Sequence, residues 1–292
     1  DFVFETDAAV AQAHARLGRD SIALDASLKL SDLGKAGDGF AGSAALDVEA
    51  SGTHDDIISN VALSGSDVRV HGARLDAPAL SFAGRGPVGA HKGAFKLTGA
   101  LDRQPIEGSG AVAFGAESGV VLDQVAVTVA SALINADMRV PADGNPDGRI
   151  AVSLPRLADF ARLAGMPLKG SAKADVAFSQ ADGVPVMRLQ AEVPELRVDD
   201  MQLRGLSAKA TVADYTRAVR VDGKARLAAF DSAQVNARDV QIDAAPAAAA
   251  PSFRAAGIIN EFRPAPIGKA AHHDHAHRPP LPARNVRTPG PH

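Results

Sequence analysis

Apolar and polar residues alternate with a period of two along most of this chain. Between positions 22 and 30 every second residue is Ile, Leu or Ala, and the residues between them include Asp25, Ser27 and Lys29. Side chains of a β-strand point alternately to opposite faces, so this pattern predicts strands with one apolar and one polar face. It recurs near residues 46–48, 61–70, 125–129, 187–193 and 206–212, with turn signals between the segments.

The apolar content comes mostly from Ala, Val and Leu. Hydrophobic residues make up 46% of the 292 residues, yet there is no Trp, one Tyr and 11 Phe. Compact cores usually depend on large aromatic side chains, so this composition favours a thin, regular interior. We predict an all-β fold, an elongated curved β-sheet like a folded taco or solenoid, with short helical turns and a disordered C-terminal tail.

Three segments depart from the period of two. Residues 156–165 have Leu and Ala at helical spacing, and Gly165 is a plausible stop. A weaker counterpart lies at 31–37. The Ala-rich segment 7–17, followed by Gly18, also predicts a helix from its propensity.

An internal repeat follows two of these segments. The stretch Phe40–Val48 reads FAGSAALDV and the stretch Leu168–Val176 reads LKGSAKADV, at an offset of 128 residues. A fixed offset indicates a repeated supersecondary unit. The predicted division is an N-terminal segment 1–20, a first β-repeat 21–148, a second, partial β-repeat 149–243, and an Ala/Pro/His-rich tail 244–292 that we expect to be disordered.

The composition excludes several classes of function. Without Cys there is no disulfide and no Cys-based zinc site, and a net charge of −3 with no basic stripe argues against nucleic acid. The acidic pairs Asp55–Asp56 and Asp199–Asp200 fall among turns, where solvated carboxylates are ordinary. We therefore predict no enzyme, no catalytic residue and no cofactor.

Two further features have simple interpretations. The His residues between 272 and 277 are dense enough to bind Zn, Ni or Cu ions, but within an unstructured tail we predict no metal site. The most apolar run, 120–134, is too short to span a membrane and carries Asp123.

A sheet with a continuous apolar side has two possible arrangements. It closes on itself with a filled core, or it stays open as a trough that needs a ligand or partner. Small side chains such as Ala191 and Ala208 leave room for acyl chains, but they also allow two walls to approach closely. The alternation favours neither arrangement.

The run Leu157–Ser171, LADFARLAGMPLKGS, followed by alternating strands, resembles repeats of the translocation and assembly module TamB and its AsmA-like relatives. The shared pattern is a short Leu/Ala-rich turn, followed by a Pro-Leu-x-Gly-Ser motif at the start of a β-meander. The stretch from Leu196 to Leu206 is similar to the same family. The likeness covers about residues 20–243 and lacks the family's anchor helix and C-terminal domain.

The resemblance implies a segment of a periplasmic protein anchored in the inner membrane through a part outside this chain. It implies a hydrophobic groove for phospholipid acyl chains, and roles in outer-membrane protein assembly, secretion and lipid transport. An outer-membrane barrel partner would bind through other regions. The alternatives are a structural or adhesive β-solenoid with a filled core and a polysaccharide-processing solenoid, which would need sugar-stacking aromatics.

Under the groove hypothesis the predicted lining is purely apolar. In the first repeat it comprises Leu46, Val48, Val61, Leu63, Val68 and Val70, followed by Val125, Val127 and Val129, and in the second repeat Leu189, Val193, Leu196, Val198 and Leu203.

Overall fold

The computed structural model describes residues 1–35, 37–115, 119–142, 144–245 and 252–262, and these form seventeen strands in one sheet. The strands are β1 (Phe2–Glu5), β2 (Ala9–Leu17), β3 (Ile22–Leu30), β4 (Phe40–Thr53), β5 (Asp56–Val70), β6 (Ala73–Gly86), β7 (Ala90–Leu101), β8 (Gln104–Gly115), β9 (Gly119–Val129), β10 (Ala132–Val140), β11 (Asp147–Leu154), β12 (Leu168–Ala181), β13 (Val184–Val198), β14 (Met201–Ala213), β15 (Arg220–Asp231), β16 (Val235–Ala245) and β17 (Ser252–Phe262).

Each strand pairs antiparallel with the next one along the chain, from β1–β2 to β16–β17. Within the described residues β1 and β17 do not pair with each other, so the sheet is not closed. Seventeen strands spaced by about 4.8 Å extend about 80 Å along the sheet. The prediction of an all-β fold with one elongated curved sheet is confirmed.

One face of the sheet carries an unbroken apolar row that crosses all seventeen strands. Residues directly opposite each other on paired strands share a face, so the register traces the row from strand to strand. We name this side the inner face. The row is Phe4, Ala11, Leu28, Leu46, Leu63, Leu80, Leu97, Gly108, Val127, Ile134, Val152, Ala174, Ala191, Ala208, Ala225, Ile242 and Ala255.

The neighbouring row, shifted by one residue, lies on the outer face and is mostly polar. Shifting the register by one residue would exchange the two faces, so the alternation in the sequence specifies the pairing. Polar members of the outer row are Glu5, Lys29, Ser64, Thr98, Glu107, Thr128, Ser153, Lys173, Glu192, Ser207, Arg226 and Gln241.

Two inner-face positions of β8 are glycines, and side chains of the flanking strands fill the space above them. A Cβ atom built on Gly110 would lie 2.7 Å from Val125 Cγ2 of β9 and 2.9 Å from Phe95 Cε1 of β7. A Cβ on Gly108 would likewise meet side chains from both flanking strands, and β7 contacts β9 directly. Side chains from the flanking strands therefore meet above β8, which only residues without a side chain allow.

Buried residues concentrate around β8 and its neighbouring strands. Ala73, Leu101 and Ile106 form a small core cluster, and Phe160 packs against it. Phe160 belongs to a 3-10 turn (Leu157–Phe160) that continues into the helix α1 (Ala161–Ala164) between β11 and β12. Arg162 Nη1, in α1, donates to Asp102 Oδ1 at 3.0 Å and ties this segment to the turn between β7 and β8. We call this the capped end of the inner face.

The bounds of the strands repeat at the offset seen in the sequence. Strand β12 begins and ends 128 residues after β4, and β13 begins and ends 128 residues after β5. Each pair also contains a bulge beside a glycine with positive φ, +101° at Gly42 and +120° at Gly170. A bulge adds one residue to one strand and increases the local twist.

Three predictions about local structure have clear outcomes. The helical segment at 156–165 is confirmed, and Gly165 ends it in the left-handed conformation with φ +68°; a 3-10 turn (Leu33–Lys35) lies at the weaker site. The helix predicted for 7–17 is wrong. That segment forms β2, because its Ala residues alternate with Gln12, His14 and Arg16 and pairing with β3 overrides Ala propensity.

The prediction of a disordered tail is wrong for residues 252–262, which form β17. The His residues at 272–277 lie outside the described residues. In the part of the chain that the structure describes, no helix is long and apolar enough to cross a bilayer.

Candidate functional site: the apolar inner face

The structure places all the predicted lining residues on the inner face. Leu46, Leu63 and Val127 belong to the apolar row itself. The adjacent inner row contains Val48 paired with Val61, and Leu189 paired with Val176. The remaining residues continue these rows toward the capped end or beside them: Val68, Val70, Val125, Val129, Val193, Leu196, Val198 and Leu203.

Bulges keep the inner face continuous where the spacing between successive apolar residues changes from two positions to three. Gly65 and Val68 differ in parity, yet a Cβ on Gly65 would lie 2.7 Å from Val68 Cγ2. The residues between them, Ser66 and Asp67, are exposed, and Asp67 has φ +51°. Val193 and Leu196 flank an equivalent irregularity in β13. The shift therefore places the bulge residues in solvent and returns the apolar side chains to one side.

The inner face is only partly buried. Leu63 keeps 40% of its surface exposed, Phe40 45% and Phe114 47%. Among the described residues few apolar side chains are buried, and most of them lie between β5 and β10. The inner face therefore has no filled core along its whole length.

Side-chain size changes along the apolar row. In β3–β7, which we name the first wall, the row consists of Leu at 28, 46, 63, 80 and 97. In β12–β15, the second wall, it consists of Ala at 174, 191, 208 and 225. The second wall therefore leaves more space above its backbone.

A polar pair interrupts the inner face at the end opposite the capped end. Ser59 Oγ of β5 and His91 Nε2 of β7 are 2.7 Å apart, a hydrogen-bond distance, and both residues are half-buried. The imidazole reaches across β6 above Gly84, where a Cβ would lie 2.9 Å from His91 Cδ2. The ring of Phe82 stands beside it, with centroids 6.4 Å apart. A guest would meet an apolar surface and one polar site here, which we call the His91 end.

An ion pair stands on the outer face close to the His91 end. Arg85 of β6 donates two hydrogen bonds to the carboxylate of Asp56 in β5. These bonds lower the pKa of Asp56 below its usual value, against a smaller opposing effect of desolvation, and raise the pKa of Arg85. Among the described residues no group of three or more His, Asp and Glu side chains is placed to hold a metal ion.

The prediction omitted several residues of the inner face. Leu80, Phe82, Phe95 and Leu97 alternate as regularly as the predicted lining, so the same signal could have found them. The pairing of Ser59 with His91 had no such signal, because 32 residues separate them and the glycines between them become meaningful only in the folded sheet.

Comparison with known protein families, curated proteins and solved structures finds no match to this chain.

Proposed function

We propose that the inner face binds the acyl chains of phospholipids and guides them along the sheet. The observation that carries the proposal is the apolar row that crosses every strand and remains partly exposed. The face measures about 80 Å across the strands and about 40 Å along them. Monomeric proteins rarely expose a contiguous apolar patch above a few hundred Å², so a surface of this size calls for an apolar partner.

Acyl chains suit this surface chemically. Burial of each methylene contributes roughly 0.8 kcal/mol without requiring hydrogen bonds in a fixed direction. A chain can therefore shift along the row with little change in free energy, because each strand offers an equivalent apolar contact. The polar headgroup would stay in solvent at the edge of the trough. The protein's role is passive, and no residue acts as a catalyst.

The wider setting follows from the resemblance to TamB and AsmA-like proteins. We propose that the chain is a periplasmic segment of such a protein, anchored in the inner membrane through a region outside it, and that it serves lipid transport or outer-membrane protein assembly and secretion. The open meander, the short helical segment before β12 and the repeated strand bounds support this proposal. A filled adhesive solenoid fits less well, because few apolar side chains of the described residues are buried.

The test is the lipid retained by the purified chain, measured by mass spectrometry, in variants that place a carboxylate on the inner face. Leu63→Asp in the first wall and Leu189→Asp in the second should each reduce retained phospholipid about tenfold, because a charge cannot be buried under an acyl chain without a partner. Both positions are partly exposed, at 40% for Leu63, so the fold should tolerate the change.

The neighbouring outer-face residues supply matched controls. Ala62→Asp and Gln190→Asp introduce the same group one residue away on the polar side and should leave the lipid content unchanged. Equal lipid loss in both sets, or lipid-free wild-type protein, would contradict the proposal.

A further inference from the structure

A depression lined by basic side chains lies on the outer face of the second wall. Its volume is about 870 Å³, and it is bordered by β11 to β15. Five basic side chains and two carboxylates line it, although the whole chain carries a net charge of −3. The basic residues are Arg149, Arg188, Lys209, Lys224 and Arg226.

Most of this positive charge has no internal counter-ion. Arg149 pairs with Asp175, and Arg188 Nη1 donates to Ser179 Oγ at 3.2 Å, a neutral partner. In the described part of the chain, Lys209 and Lys224 make no ion pair, and Asp222 is the remaining carboxylate at the depression. Like charges lining a concave surface focus a field that attracts anions.

The register places two of these cations in direct opposition. Lys209 of β14 and Lys224 of β15 are cross-strand partners on the outer face. Like charges directly opposite each other destabilise a sheet. Lys224 faces Asp243 on its other side, whereas Lys209 faces the neutral Gln190. An anion bound above the two ammonium groups would relieve the repulsion between them.

We propose that this depression binds an anionic group that carries two or more phosphates. Arginine and lysine donors suit phosphate oxygens, since the guanidinium fork donates in parallel and the ammonium acts as a compact charge. The uncompensated cations stand on β13, β14 and β15, which span about 10 Å. A single phosphate cannot reach all of them, whereas linked phosphates can. The site is independent of the function proposed for the inner face.

The experiment is isothermal titration of the full chain with inorganic tripolyphosphate and, separately, with orthophosphate. Tripolyphosphate should bind with one-to-one stoichiometry, more tightly than orthophosphate, and more weakly as salt is added. Lys209→Gln with Lys224→Gln should raise the Kd for tripolyphosphate about tenfold or more, because charge-assisted hydrogen bonds are lost. The control Lys29→Gln with Lys96→Gln removes the same charge from the outer face of the first wall and should leave the Kd unchanged.

Thermal unfolding without phosphate separates binding from a structural role. The Lys209/Lys224 double variant should have an equal or higher Tm, because the repulsion between the lysines is gone. A lower Tm would show that the lysines support the sheet and would overturn the proposal. The proposal also fails if tripolyphosphate does not bind, if orthophosphate binds equally well, or if both double variants lose affinity alike.

Vesicles identify the source of the phosphates. Co-sedimentation with phosphatidylcholine vesicles that contain cardiolipin, whose headgroup has two phosphates, but not with phosphatidylcholine alone, would assign the group to a lipid. Tripolyphosphate binding without vesicle binding would assign it to a soluble phosphate. Either result supports the site, and neither depends on lipid retained by the inner face.

Discussion

The first and second walls share the same pattern of strand lengths but differ in the size of the side chains on the inner face. Strands β4 and β5 recur as β12 and β13 with the same lengths and with a bulge glycine at the same place. Leu occupies the apolar row in the first wall, and Ala occupies it in the second. The repeat therefore conserves the geometry of the strands. The space above the inner face is set separately, by the size of the side chains in the apolar row.

Burial also differs between the two regions. Among the described residues the buried apolar side chains lie between β5 and β10, except for Pro185, Val186 and Ala237. Phe160 packs against the core cluster there, and side chains of β7 and β9 meet above the glycines of β8. Among the described residues the first wall thus leads into the core cluster, while the second wall stays largely unburied. The following predictions test this contrast.

The largest expected effect is on stability at the core cluster. Leu101→Ala should lower the free energy of unfolding by about 3 kcal/mol, because Leu101 is 6% exposed and its loss leaves a cavity. Leu189→Ala in the second wall should cost about 1 kcal/mol, since the side chain is already partly exposed. Urea unfolding measures both. Equal losses would show that the walls are equally packed.

The bulge glycines should behave alike in both walls. Gly42→Ala and Gly170→Ala should each cost about 2 kcal/mol or more, because both have positive φ and a Cβ would press on the carbonyl oxygen of Asp67 or Glu195. The turn glycines Gly72 and Gly183 also have positive φ but have open space around them. Their Ala variants should cost about 1 kcal/mol. If a bulge variant loses no more free energy of unfolding than its turn control, the bulge glycines do not have the structural role proposed for them in both walls.

Filling the second wall should reduce lipid capacity without unfolding the sheet. Ala191→Leu with Ala208→Leu makes the row there resemble the first wall, and retained phospholipid per chain should fall about twofold as the space is occupied. The control, Ala62→Leu with Ala79→Leu, makes the same change on the outer face of the first wall. An unchanged lipid-to-protein ratio in the inner-face variant would locate the guest elsewhere.

The smallest expected effect concerns an ion pair that is present in the first repeat but absent at the corresponding positions 128 residues later. Asp56 pairs with Arg85, whereas the residues 128 positions later are Val184 and Ala213. Because the folded pKa of Asp56 is lowered, the pair stabilises the fold above the ordinary carboxyl pKa, and this contribution disappears as pH falls through the lowered value.

Asp56→Asn should therefore be slightly less stable than wild type at neutral pH and equal to it in acid. Urea midpoints at the two pH values measure the difference. A gap that persists in acid would show that Asp56 acts through something other than its charge.

Much of the fold could be predicted because alternation reports faces directly. Leu46, Val48, Val61 and Leu63 were correctly placed on one side from their spacing alone. The failures occurred where two signals compete: the Ala-rich segment 7–17 has helical propensity and also a period of two, and pairing with β3 decided in favour of the strand. The segment 252–262 has a weak pattern and becomes β17 only against β16.

The amino-acid sequence by itself determined most of the strands, their apolar sides, the helical stop at Gly165 and the 128-residue spacing, because these depend on near neighbours along the chain. Only the tertiary structure decided that the sheet stays unclosed, that side chains of β7 and β9 meet above the glycines of β8, that Ser59 meets His91, and that Lys209 faces Lys224. Those features depend on the register between strands. Alternation in the sequence excludes register shifts of one residue, but it does not choose among shifts of two, so it cannot say which residues far apart in the chain face each other.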